Sequence, residues 1–223
     1  NNKTNPSLLN FEMKKFSFLF LMALSIATVF TSCGDEDTTP TPTPAPVLVR
    51  EYTATLLLPP LAGNESATFF STRNGKTYSF NSAAIGSNSD SVDFGYFFSN
   101  DFGASFMSPS NYATSPTGWD AVLASWKTKN QTTFKSVANQ TDNLAYFQGI
   151  SRNGQVDTIF NNAAAVAKIG GTGIAGQRIG NLSPGQVFVI NASNNKKALI
   201  YVQNFTPGNG SAGQMTIRVR AQG

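Results

Sequence analysis

The 223-residue chain has no histidine, a single cysteine, and charged side chains at only 13% of its positions. Without histidine there is no Ser-His or Cys-His catalytic pair and none of the commonest metal ligand. One cysteine excludes an internal disulfide framework and a Cys-rich zinc site. The charged share is about half that of an average soluble domain, and Ser, Thr, Asn and Gln fill the difference. That balance suits an exported, β-rich protein better than a cytosolic enzyme. No Asp or Glu follows Asp157. Lys and Arg form no cluster of the kind that marks a nucleic-acid footprint, so no nucleic-acid partner is expected. The length permits one sizeable domain or two small ones, with room for a core.

What is present begins near the N-terminus. Met13-Lys14-Lys15 precedes an apolar run from Phe16 to Phe30. That run is shorter than the roughly 20 residues a membrane-spanning helix needs, and has the length of a signal-peptide core. Thr31 and Ser32 follow, then Cys33, then the acidic stretch Asp35-Glu36-Asp37 and a Thr-Pro alternation to Pro46. Alternating prolines remove ladder donors at every second residue, so an extended tether is expected. Met13 is the plausible initiator, which sets Asn1 to Glu12 apart from the fold.

The order basic, apolar, small, cysteine resembles a bacterial lipoprotein signal, and the acidic residues after the cysteine resemble the surface-export signal of Bacteroidota lipoproteins. Phe30 departs from the aliphatic residue such signals favour. The resemblance implies cleavage before Cys33 and lipidation of Cys33. It also implies anchorage in the outer membrane, with display at the cell surface and a periplasm-facing orientation as the alternative. Three segments follow: 1–32 as upstream residues and signal peptide, 33–46 as lipidated cysteine and tether, and 47–223 as the folded domain. Without residues 1–32, 13 basic and 11 acidic side chains remain, and the net charge falls from +4 to +2.

From Val47 onward the pattern is mainly β. Leu48 to Leu56 places apolar side chains at even positions except Arg50, a half-buried strand. Phe69-Phe70 and Thr77-Tyr78 flank Asn74-Gly75, a hairpin signal because both residues tolerate positive φ. Val92 to Phe98 and Ala104 to Met107 read as a strand pair about Asn100-Asp101. Gln186 to Ile190, Ala198 to Val202 and Gln214 to Arg220 read as an antiparallel meander with Met215, Ile217 and Val219 inward. Trp119, Val122, Leu123 and Trp126 fall on one face of a short helix, as do Val156, Ile159, Phe160, Ala163 and Ala167, with Gly170-Gly171 as a stop. The expected fold is a single antiparallel β-sandwich of about seven strands, with one or two short helices at an edge or end.

Candidate functional residues are few. Gly171-Thr172-Gly173-Ile174-Ala175-Gly176 has the spacing of a dinucleotide loop. A helix precedes it, strands follow, and no acidic residue lies beyond it, so no dinucleotide or other cofactor is expected. Asp90, Asp93 and Asp101 are the residue type for glycoside hydrolysis, which needs two carboxylates about 5 to 9 Å apart, or for calcium. Neither spacing nor flanks define a site, so no catalytic residue and no metal is assigned. Tyr112, Trp119 and Trp126 are candidate platforms for a sugar ring, with core packing the commoner fate of the tryptophans. Thr38, Ser91 and Thr158 each follow an Asp in a short pattern resembling Bacteroidota O-glycosylation sites. Arg218 and Arg220 share one strand face that would attract anionic polysaccharide.

The expected function is a non-catalytic surface lipoprotein that binds glycan or another envelope component, or serves as a structural subunit. A hydrolase using the loop carboxylates and an adhesin or polymer subunit are the competing classes.

Overall fold

The computed structural model describes residues 44–57, 67–79, 82, 88–112, 123–167, 173–207 and 213–223, all within the compact unit Pro44–Gly223. The strands among them are β1 (Val49–Leu57), β2 (Phe69–Phe70), β3 (Thr77–Tyr78), β4 (Phe94–Ser99), β5 (Gly103–Met107), β6 (Thr133–Ser136), β7 (Ala164–Ala165), β8 (Arg178–Ile179), β9 (Val187–Asn191), β10 (Lys197–Thr206) and β11 (Gln214–Gln222). Three short helices accompany them: α1 (Pro109–Tyr112), α2 (Asn143–Gly149) and α3 (Asn153–Asn162). All pairings are antiparallel. One sheet runs β1-β11-β10-β9-β6-β7 and the other β3-β2-β4-β5-β8. The protein is a β-sandwich.

Alternation decides which side chains meet between the sheets. Leu56 from β1, Met215, Ile217 and Val219 from β11, Ile200 and Val202 from β10, and Phe188 and Ile190 from β9 face Phe70, Phe94, Tyr96 and Phe106 of the other sheet. A chain of rings crosses this core: Phe94 lies 4.9 Å from Phe106, which lies 5.6 Å from Phe188. Each such pair adds about 0.5–1.5 kcal/mol beyond area burial.

Both sheets are also covered on their outer faces. Val187 and Val189 of β9 and Leu199 of β10 turn away from the inter-sheet core and pack under Phe147 of α2, Ile150 at the end of α2, and Val156 of α3. Phe97 of β4 and Met107 of β5 pack with Phe69, Val92, Leu123 and Trp126 on the opposite outer face. The helices therefore lie against a sheet face, not at an edge or end as the sequence suggested. Apolar outward residues on β9 and β10 require a cover, and α2 and α3 supply it.

Local chemistry sets the helix limits. Asp142 caps α2, its carboxylate accepting the Ala145 N–H at 2.9 Å. The Gln155 side chain accepts the Arg152 N–H at 3.0 Å at the start of α3. Helix α3 ends at Asn162, well before Gly170-Gly171, which lie outside the described residues. Ala163 is extended at φ −70°, ψ 146°. Ala164-Ala165 then pair with Lys135 and Ser136 of β6. An available sheet edge outweighs the helix preference of alanine.

The Asn74-Gly75 hairpin forms, with a longer loop than a two-residue turn. Ser71 N–H donates to Lys76 C=O at 3.0 Å, and only Gly75 of the pair is left-handed, at φ 70°. Asn74 instead accepts the Lys76 N–H through its side chain. Leu48, expected inward, is 63% exposed, because it bridges to Arg152 beyond the rim of the core.

Candidate functional site

Cys33, Thr38 and Trp119 lie outside the described residues. Tyr112 closes α1, and its side chain likewise lies outside the description. Trp126 is 3% exposed and meets Phe69 edge-on at 4.7 Å. It is core, not a sugar platform: the apolar stripe it shares with Leu123 is the inner side of a cover over the five-stranded sheet. Ser91 is half-buried and donates to the Asp90 carboxylate at 3.1 Å. Thr158 is exposed on α3, donating back to Gly154 C=O at 3.0 Å.

The three carboxylates have separate roles. Asp93 is buried, and one of its oxygens accepts both the Thr72 N–H at 2.7 Å and the Thr72 hydroxyl at 2.6 Å. Burial pushes its pKa up against the pull of those hydrogen bonds and of the Arg73 charge. Asp90 is exposed and stands 3.9 Å from Arg73. Asp101 sits in the turn beyond the far end of β4. The six intervening residues of β4, at about 3.3 Å each, separate it from Asp93 by roughly 20 Å. That exceeds the spacing of a glycosidase pair. Asp93 and Asp101 do not share a cleft. Among the described residues no group of three or more His, Cys, Asp or Glu is gathered to hold a metal.

Arg218 and Arg220 do not form the free cationic face their alternation suggested. Both guanidinium groups bind the Glu51 carboxylate across the β1–β11 pair, Arg220 at 2.8 Å through Nη2 and Arg218 through a shorter contact. Arg220 also donates to the carbonyls of Gln148, at 2.6 Å, and Ile150. The Phe147 ring lies under both, 5.5 and 5.1 Å away. Burial raises the Glu51 pKa, but the two arginines outweigh it and hold the carboxyl below its ordinary range. The arginines fasten α2 to the sheet. The partner residue Glu51 lies far away in sequence, which is why alternation within β11 alone gave the wrong reading.

A feature suited to a polar ligand lies at the β9–β10 turn, lined by none of the candidate residues read from the sequence. Lys129, Asn130 and Gln131, on the approach to β6, face Asn191, Ala192, Ser193 and Asn195 of the β9–β10 hairpin across an open cleft of about 500 Å³. Its walls are fixed from behind. The Asn130 amide donates to the carbonyls of Asp90 and Val92, each at 2.8 Å. Ala192 N–H donates to Lys196 C=O at 2.9 Å, and Asn195 is left-handed at φ 60°. Amides and a hydroxyl line the cleft beside one ammonium group, so it offers donors and acceptors with little net charge. A concentration of Asn about the turn at 191–195 is the only signal of it in the sequence.

Fold and site together define a β-sandwich bearing an amide-lined polar cleft. No family model matches the sequence, and no curated protein matches it. Among solved structures it is similar to a DUF4466 family protein from Parabacteroides merdae, with a TM-score of 0.46 and 15% identity. The match covers 75% of this chain and 53% of that one, so the chain spans about half the length of that protein.

Proposed function

We propose that the protein is a non-catalytic outer-membrane lipoprotein, held by lipid on Cys33 and displayed through residues 33–46, whose β-sandwich binds a neutral glycan or similar envelope component. The observation that carries the binding role is the cleft between Gln131 and the 191–195 hairpin. Its volume lies within the range of small-ligand sites, about 300–1,000 Å³. Sugar hydroxyls donate and accept at once, as do the exposed amides of Gln131 and Asn195. The scattered carboxylates favour binding over hydrolysis, since Asp93 is committed to Thr72 and Asp101 lies at the other end of its strand.

Two measurements test this reading. Palmitate labelling should require Cys33, and Cys33→Ser should release the protein from the membrane; unchanged anchorage removes the lipoprotein assignment. On a glycan array, the full chain should bind a neutral polysaccharide, and Gln131→Ala with Ser193→Ala should weaken that binding by about tenfold, or about 1.4 kcal/mol. Binding to no polysaccharide, or binding indifferent to both substitutions, removes the cleft from the function.

A further inference from the structure

The four strands that bound the two sheets are unequal. β3, β7 and β8 are two residues long. β1 is nine residues long and pairs with β11 in one unbroken register from Val49 with Gln222 to Leu57 with Gln214. Among the described residues its other side is closed only at the start, where Val49 N–H donates to Ser151 C=O at 3.1 Å and Asn153 N–H to Val47 C=O at 3.0 Å. Those bonds show that the odd positions of β1 turn their backbone away from β11. Because the register does not shift, Glu51, Thr53 and Thr55 also point their N–H and C=O groups off the sheet. All three residues are exposed. Sheet edges are ordinarily blunted by brevity, lysine, proline or a bulge. The stretch Glu51–Thr55 has none of these.

We infer that β1 is a self-association edge, pairing antiparallel with β1 of a second copy about a two-fold axis at Thr53. Two copies can pair here only odd position to odd, because only those carry free backbone groups. Thr53 is the midpoint of the exposed stretch, and an axis there sets Thr53 against the partner's Thr53 and Glu51 against the partner's Thr55. Three such pairs form about six backbone hydrogen bonds. The sole acid on the edge, Glu51, is ion-paired with Arg218 and Arg220, and it meets threonine instead of a second glutamate, so no carboxylate faces another across the axis. Threonine is a strong strand former, and Thr–Thr pairs are favourable across strands. The resulting interface is isologous, so it closes at two copies and joins the two six-stranded sheets into one.

The test uses the full chain in detergent micelles. Sedimentation equilibrium should show a concentration-dependent dimer. Thr53→Lys, which places a charge on each side of the axis, should raise the dimer dissociation constant by about tenfold or more with the far-UV circular dichroism of the folded chain unchanged. In a Cys33→Ser background, Thr53→Cys should give a disulfide-linked dimer on mild oxidation. Opposed residues of a hydrogen-bonded pair lie about 5.5 Å apart at Cα, within disulfide reach. Ser193→Cys in the same background should not cross-link. A chain that stays monomeric throughout, that binds an unrelated extended peptide instead, or whose Thr53→Lys variant dimerises as well as wild type, overturns the inference. None of these readouts depends on glycan binding.

Discussion

Replacing Gly75 by alanine isolates two costs that the structure assigns separately. Gly75 is left-handed at φ 70°, and a Cβ built there would stand 2.2 Å from Tyr52 Cδ1 and 2.7 Å from Cγ. Holding an L-residue in the left-handed region costs about 1–2 kcal/mol. Forcing a methyl group against the root of a packed ring adds about 1–3 kcal/mol, because Cγ can swing away only if Tyr52 leaves its χ1 rotamer. The expected total is about 2–5 kcal/mol against a domain stability of about 5–15 kcal/mol. For a domain of this size that is a drop in Tm of roughly 4–20 °C. Urea unfolding of wild type, Gly75→Ala, Tyr52→Ala and the double variant separates the terms. In the Tyr52→Ala background the steric part vanishes, so Gly75→Ala should cost only its backbone share, about 1–2 kcal/mol. A cost below about 0.5 kcal/mol, or the same cost in both backgrounds, refutes the packing of this hairpin on β1.

Two further outcomes follow from the cores. Asp93 has a folded-state pKa raised by burial, so its contribution to stability is complete below the ordinary carboxylate value of about 3.9 and is lost as pH rises through the raised value. Wild type should therefore lose thermal stability relative to Asp93→Asn over that interval; a gain, or a constant difference, contradicts the burial. Trp126→Ala should cost about 3–5 kcal/mol in urea unfolding. A cost of under about 1 kcal/mol would place the indole outside the Phe69 cluster.

Legibility in the sequence followed the range of the interactions involved. The β9–β10–β11 meander could be read because its alternation and its Asn-rich and Pro-Gly turns are local. The same holds for the β4–β5 hairpin, where Gly103 takes φ 58° at the turn. β6 could not be read, since only Phe134 of its four residues is buried and β9 and β7 on either side make it a strand. Helix α2 was equally hidden. Its single buried residue, Phe147, gives no periodicity, and its attachment depends on Arg220 from the end of the chain. The aromatic candidates failed for a related reason. A tryptophan on an apolar stripe has the same local pattern whether the stripe faces a ligand or a sheet, and only the second surface decides. The cleft was missed because its two walls are about sixty residues apart and neither has a motif.

The double covering of β9 has a consequence for how the molecule comes apart. Phe188 and Ile190 belong to the inter-sheet core, while Val187 and Val189 of the same short strand belong to the core under α2 and α3. No rotation or fraying of this strand releases one set of side chains without the other. The helical layer is thus not an appendage that can melt while the sandwich persists. Its loss strips one face of β9 and β10, so both cores should open in a single cooperative event. The amides of Phe188 and Ile200 should accordingly exchange with solvent only through global unfolding, at one shared rate.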